Sequence, residues 1–392
     1  MARKSASICT LLILLALLYG CDVPKPPPEV PTPIPGSSQN PEGDTARTPV
    51  RPTVVVGLTP LPTGPGHIYF VRDSGLWRIA PDGSGEMKLS DMLPGSPPQP
   101  SPDGKWVAFV SGLDLYVIAS DGGETHKLAS GDMVERQRLG WDRSSNLVGY
   151  MTYDPSTRGV EQAWAVSREG GDSLLITSIT YAGSGRGPAY EHSVQWSPDD
   201  KWVVVGGVNN PFRLLRWPLS TGREGDVRDI PGGEPEWSPD SRTILFTEAL
   251  NGALSVYDVL TAKTEPFVNE LERVGTGMGE YANGPRPRLS PASTGADSDP
   301  IAYCSSSPED GSPRVAIRRR GSRELPTLPS LTNNPSWSPS GDRLVVETGQ
   351  VRDEPLGSRW LPNGLAIANI DPDGEHTMAP LLSDGRWPVW GK

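Results

Sequence analysis

Side chains suited to acid–base or metal chemistry are sparse in this chain. Four histidines occur: His67, His126, His192 and His376. No two stand as His-x-x-x-His, and none sits beside a cysteine at the spacing of a zinc ligand set. Asp371-Pro372-Asp373-Gly374 and Pro308-Glu309-Asp310-Gly311 have the Asp-Gly turn of a calcium loop. They lack its ladder of carboxylates and its distal Glu. No bound metal is expected. No Gly-x-Ser-x-Gly elbow is present to expose a serine nucleophile. Gly183-Ser184-Gly185-Arg186-Gly187 is not followed by Lys-Ser/Thr and a helix, as a phosphate loop requires. Neither a catalytic residue nor a cofactor is expected. What remains is Glu191-His192, beside that Gly-rich stretch, as a candidate binding pair. Acid–base work there would need a carboxylate within hydrogen-bond reach of the imidazole. Trp360, in Gly357-Ser358-Arg359-Trp360-Leu361-Pro362, is a second candidate binding residue, because tryptophan is favoured as an interaction anchor.

The elements that position these residues are read from the N-terminus onward. Arg3 and Lys4 precede an apolar run from Ile8 to Tyr19. A run of about a dozen residues is too short to span a bilayer, which needs ~20 helical residues. A charged start, a short apolar middle and a small residue before the cut make a secretory signal. Leu18-Tyr19-Gly20-Cys21 resembles the bacterial lipobox, although Tyr19 is larger than that position usually carries. The resemblance implies a signal peptide over 1–20 and lipid attachment at Cys21. Residues 21–66 follow as a linker, with proline at 13 of the 45 positions from Asp22 to Gly66. Proline prefers extended backbone and cannot feed a helix or a central strand, so this is a semi-rigid tether. Thr53-Val54-Val55-Val56-Gly57-Leu58 is its one strand-like island, free or docked on the domain. Cys9 leaves with the signal and Cys21 carries lipid, so Cys304 has no disulfide partner.

Residues 67–392 repeat one phrase. Its forms include Ser101-Pro102-Asp103-Gly104, Trp196-Ser197-Pro198-Asp199, Trp237-Ser238-Pro239-Asp240 and Trp337-Ser338-Pro339-Ser340. Looser forms start at Trp141 and Leu289. Each joins a short lead-in strand to a strand rich in Val, Ile, Phe and Tyr, which suit a buried sheet. Asp, Ser and Gly supply the tight turn. A second column of polar turns, such as Ile79-Ala80-Pro81-Asp82-Gly83, occurs seven times against six of the first. The missing lead-in is Pro388–Lys392, which fits beside Ile68–Arg72 and would close a ring with strands from both ends of the chain. Lead-in positions are 41, 55, 41, 52, 48 and 53 residues apart. Four strands per unit at this period predict an all-β fold, a β-propeller of seven four-stranded blades. The excess length falls near 154–160, 181–191, 270–285 and 349–362.

The Trp-Ser-Pro-Asp phrase followed by a strand resembles the TolB-like, WD-repeat-like propellers, over residues 67–392. The resemblance implies a protein-binding module in the bacterial envelope. Trp196, Asp199 and Asp240 are expected to build turns and blade contacts rather than to do chemistry. Loss of Arg3 and Lys4 takes the formal charge from −11 to −13. An acidic chain repels polyanions, so nucleic acid is not an expected partner. Arg318-Arg319-Arg320 is expected on a solvated outer strand and its turn.

The expectation is therefore a lipid-anchored propeller at the outer face of the bacterial cytoplasmic membrane. It would bind an envelope protein, a peptide or a cell-wall component without catalysis. Two alternatives stand beside it. A propeller enzyme, a glycan hydrolase or lyase, would pool carboxylates with His or Arg at a channel mouth. A small-ligand sensor would show a deep polar pocket.

Overall fold

The computed structural model describes residues 55–56, 61, 63–133, 137–153, 160–180, 192–207, 211–219, 226–248, 253–267, 287–292, 300–306, 312–319, 327–329, 331–354, 357–371 and 376–392. Cys21, most of the tether and Glu191 lie outside them.

Seven antiparallel sheets follow one another along the chain, each built from consecutive strands. The fourth is typical: His192–Trp196, Trp202–Gly207, Phe212–Arg216 and Val227–Ile230 pair in order from the axis outward. The first is the exception in sequence. Its inner strand, Arg386–Gly391, comes from the C-terminus and pairs with His67–Arg72, Ile68 facing Trp390. The ring is thus closed by strands from both ends of the domain, as the repeat count predicts. In the sixth sheet the described strands are Arg288–Leu289, Pro300–Ser306 and Pro313–Arg319, and an isolated bridge from Ala316 to Thr327 occupies the fourth position. No helix occurs among the described residues.

Strand periodicity explains how the blades pack. In Trp202-Val203-Val204-Val205 successive side chains point to opposite faces of the sheet. Val203 and Val205 join Trp196 and Met151 in the cluster between the third and fourth blades. Val204 and Trp202 join Trp237 and Phe246 between the fourth and fifth. Among the described residues there are seven apolar clusters, and each spans one pair of neighbouring blades around the ring. Burying one such valine is worth roughly 1.5–3 kcal/mol. Continuous β-branched runs therefore suit this fold, because both faces of each blade are covered.

The repeated phrase builds the turn after each lead-in strand. Ser197 Oγ donates to Asp199 Oδ1 at 2.7 Å and accepts the Trp202 N–H at 3.0 Å. The Asp199 carboxylate accepts the Lys201 N–H. Ser101 with Asp103 and Ser238 with Asp240 repeat the arrangement. At Trp141 the looser phrase substitutes Asp142, which alone accepts the N–H groups of Asn146 and Leu147. The leading tryptophan is a clamp between blades. The indole N–H of Trp141 donates to the Gln99 carbonyl at 2.9 Å, that of Trp237 to Gln195 at 3.3 Å, and that of Trp337 to Arg288 at 2.9 Å. Each acceptor belongs to the residue just before the preceding lead-in position.

Three details go beyond the sequence reading. The strand-like island in the tether docks: Val55–Val56 pairs in parallel with Thr377 and Met378 at the outer edge of the seventh blade. The excess near 349–362 extends a hairpin, Arg343–Glu354 with Gly357–Asn369, instead of forming a loop. Arg318 is corrected from solvated to buried, because Pro313–Arg319 is the third strand of its blade and not the outermost.

Candidate functional site

The lead-in strands line the axis, and their period of two decides which side chains face it. Counting back from the leading residue, the first position presents Gln99, Gln195, Glu236, Arg288 and Ser336, with Gly140 in the third blade and Val389 in the first. The third position back presents Pro97, Arg138, Ser193, Glu234, Asn334 and Trp387. All of these except Gly140 line one axial cavity of about 310 Å³. A second cavity of about 330 Å³ lies toward the Trp-Ser-Pro-Asp turns and shares Gln99, Arg138 and Gln195 with the first.

Three of the lead-in strands share a device that aims the upper tier. Glu234, Asn334 and Trp387 have φ of +54°, +47° and +53°. Each precedes a proline, and each lies at an irregularity in pairing with the next strand. Such bulges re-aim a side chain, and left-handed backbone at a non-glycine residue persists only where its surroundings hold it. For Trp387 the holding group is buried Glu347, whose Oε1 accepts the Trp387 backbone N–H.

The charged corner of the cavity draws on three blades. Arg138 Nη1 donates to Glu236 Oε2 and approaches Gln195 Oε1 at 3.4 Å. Arg288 Nη1 lies 3.5 Å from the same Glu236 oxygen. Burial, and next the neighbouring Arg138 cation, push the Arg288 guanidinium down to about 10, against the opposing pull of Glu236 and Glu234. Its side chain nevertheless keeps 27% exposure toward the cavity. The Arg138 backbone is fixed by its N–H to the His192 carbonyl at 2.7 Å. Gln195 Nε2 donates to the Pro235 carbonyl at 2.7 Å, which ties the fourth and fifth lead-in strands together.

Of the residues singled out by sequence, His192 lies in the fourth lead-in strand at the cavity wall. Its side chain is fully buried, and Nδ1 lies 3.0 Å from Glu161 Oε2, itself buried. A carboxylate within reach of the imidazole thus exists, but the pair sits behind the wall. Trp360 stands on the long hairpin of the seventh blade. Its indole packs over Gly349, where an added Cβ would meet the ring at 2.6 Å, and its N–H reaches Glu347 Oε2 at 3.3 Å. It therefore supports the residue that supports Trp387. No group of His, Cys, Asp and Glu among the described residues could hold a metal ion. Arg138, Glu236, Arg288 and Trp387 escaped the sequence reading. Their signal was position, one or three residues before an aligned leading residue.

The fold defines a seven-bladed β-propeller, and its repeated turn phrase resembles that of the TolB-like, WD-repeat-like propellers. No family model matches the chain. It is 23% identical over 264 residues to an uncharacterised protein of Agrobacterium fabrum, covering 63% of this chain and 82% of that one. Among solved structures it resembles a provisionally assigned 6-phosphogluconolactonase of Bacteroides fragilis, with a TM-score of 0.53 and 15% identity over 83% of this chain and 96% of that one. An oligogalacturonate lyase of Vibrio parahaemolyticus gives 0.50 and 11%, over 70% and 80%. A provisionally assigned TolB from Agrobacterium tumefaciens gives 0.46 and 20%, over 76% and 97%. These likenesses concern the fold.

Proposed function

We propose that this chain is a binding propeller, held outside the bacterial cytoplasmic membrane by lipid on Cys21 and its Pro-rich tether, and that its axial cavity takes the ligand. The observation that carries this reading is the cavity itself. Side chains from several blades converge there on a space of about 310 Å³, at the low end of ligand pockets. That size and polarity favour a small polar molecule or a peptide segment over a flat protein face. The topology also favours entry from one side. Antiparallel order places the ends of the second strands and the starts of the lead-in strands on one face, and Arg138, Glu234, Asn334 and Trp387 stand at or just ahead of those starts.

The lyase or hydrolase alternative gains a cluster of Arg and Glu at the channel. However, Glu236 Oε2 is held by two guanidinium groups, so it is engaged in positioning rather than set to take a proton. A binding role is the simpler use of this geometry.

The test is ligand capture. The purified propeller is incubated with small molecules and peptides extracted from the native envelope, washed, and analysed by mass spectrometry. Gln99→Trp serves as the comparison, since the Gln99 side chain lines the axis while its backbone pairs with Ala108 and accepts the Trp141 indole N–H. A species retained by the wild type and lost in a folded Gln99→Trp protein supports the reading. Equal retention by both proteins, or retention by neither, refutes it.

A further inference from the structure

The charged corner of the axial cavity turns its two guanidinium groups toward the ligand space more than the Glu236 carboxylate they share. Arg138 and Arg288 converge on one oxygen of Glu236. Glu236 is recessed, with 12% of its side chain exposed against 29% for Arg138 and 27% for Arg288. The carboxylate therefore backs the cluster and the two guanidinium groups form its face. Each guanidinium carries five donors in a planar fork. Arg288 spends Nη1 on Glu236 and on the neighbouring Pro287 carbonyl at 3.3 Å, which leaves donors directed elsewhere. The lowered proton affinity of Arg288 agrees with this geometry. Burial weakens its hold on the proton first, and the neighbouring Arg138 cation second.

We infer, on the reading of this cavity as the binding site, that the ligand presents a carboxylate to the paired guanidinium groups of Arg138 and Arg288. A planar monoanion fits their fork in bidentate fashion. The remaining walls are mixed: Gln99, Ser193 and Ser336 are polar, Glu234 is charged, and Trp387 and Val389 are apolar. A carboxylate reaches this site either on a small free acid or at the end of a peptide. Both carry the same recognition group.

Matched acids and amides test the inference by calorimetry: glutarate against glutaramide, and N-acetyl-Ala-Ala against its C-terminal amide. The proteins are the wild type, Arg288→Gln, Arg288→Lys and Gln99→Trp, each checked for folding by circular dichroism. The expected result is that at least one acid binds the wild type about 10- to 100-fold more tightly than its amide. That preference disappears in Arg288→Gln and returns in part in Arg288→Lys. Preference for glutarate identifies free acids as the source, and preference for the peptide acid identifies chain ends. Equal binding of acid and amide, abolished for both by Gln99→Trp, overturns the carboxylate inference while the cavity reading stands. Binding that survives Gln99→Trp overturns the cavity reading as well. Failure of both acids to bind, or an acid preference that survives Arg288→Gln, also overturns the inference.

Discussion

Arg138, ahead of the third lead-in strand, reaches past the fourth blade to the carboxylate of Glu236 in the fifth. Ninety-eight residues separate the two in sequence. The pair therefore closes around the axis instead of along one blade, and Arg288 joins it from the sixth. This contact links the stability of the ring to the charge of its cavity.

Replacing Glu236 with glutamine should affect both. Two part-buried cations lose their shared counter-charge, and breaking such a pair costs up to about 3 kcal/mol where exposure is partial. Chemical denaturation should show a lower midpoint. The same protein should bind acids more tightly relative to their amides than the wild type does, because its cations are less compensated. An unchanged midpoint would mean that the pair adds nothing to stability.

Gly140 occupies the axial tier where five other blades carry polar side chains. A Cβ built there would lie 1.9 Å from the Val194 carbonyl oxygen, on the neighbouring lead-in strand. Gly140→Ala should therefore push the third and fourth blades apart and cost about 1–3 kcal/mol, as overpacking does. Differential scanning calorimetry would show the loss. A variant as stable as wild type would mean that the lead-in strands are not held this closely.

Acid should weaken the blade turns. For Asp103, Asp199 and Asp342 burial opposes ionisation, but hydrogen bonds from Ser101, Ser197 and Ser340 with their neighbours prevail and hold the carboxyls below the usual range. A lowered carboxyl contributes stability that is complete above its unfolded pKa of ~3.9 and lost as pH falls through the folded value. Unfolding midpoints should therefore drop steeply below about pH 4. Asp103→Asn with Asp199→Asn should flatten that drop. A profile with unaltered slope would show that other groups drive acid unfolding.

At alkaline pH the cavity itself titrates. Arg288 in the free protein gives up its proton at about 10. A bound carboxylate raises that value, so binding takes up protons as pH approaches it, and acid affinity should fall as pH rises through about 10. Titrations at pH 8 and pH 10.5 on wild type and on Arg288→Gln, which has no group to titrate there, with circular dichroism at both values, would separate this loss from general unfolding. Affinity that is constant across the range would place the ligand carboxylate away from Arg288.

Anchoring is tested apart from binding. Growth with an alkyne-tagged fatty acid should label the wild-type chain, and Cys21→Ala should be unlabelled and should leave the membrane fraction. Labelling that survives the substitution would place the anchor elsewhere.

The architecture was legible because it is periodic. Trp-Ser-Pro-Asp marks each tight turn by local chemistry, in which a serine and an aspartate satisfy nearby N–H groups, so the sequence alone determined the number of blades, their strand order and their closure by the C-terminal Pro388–Lys392. The alternation of Val203, Val204 and Val205 likewise specified two buried faces by pleat geometry. The site was not legible, because it depends on distance through space. Arg138, Glu236 and Arg288 are separated by 98 and 52 residues, and no spacing rule relates residues that meet only when the ring closes. His192 drew notice as a chemical residue, yet its imidazole is fully buried against Glu161 in the cavity wall. The orientation of Trp387 rests on a bulge before proline and on Glu347, forty residues away. Turns and strand faces follow from neighbours in sequence, whereas the pooling of charge at the axis follows from seven strands converging on one line.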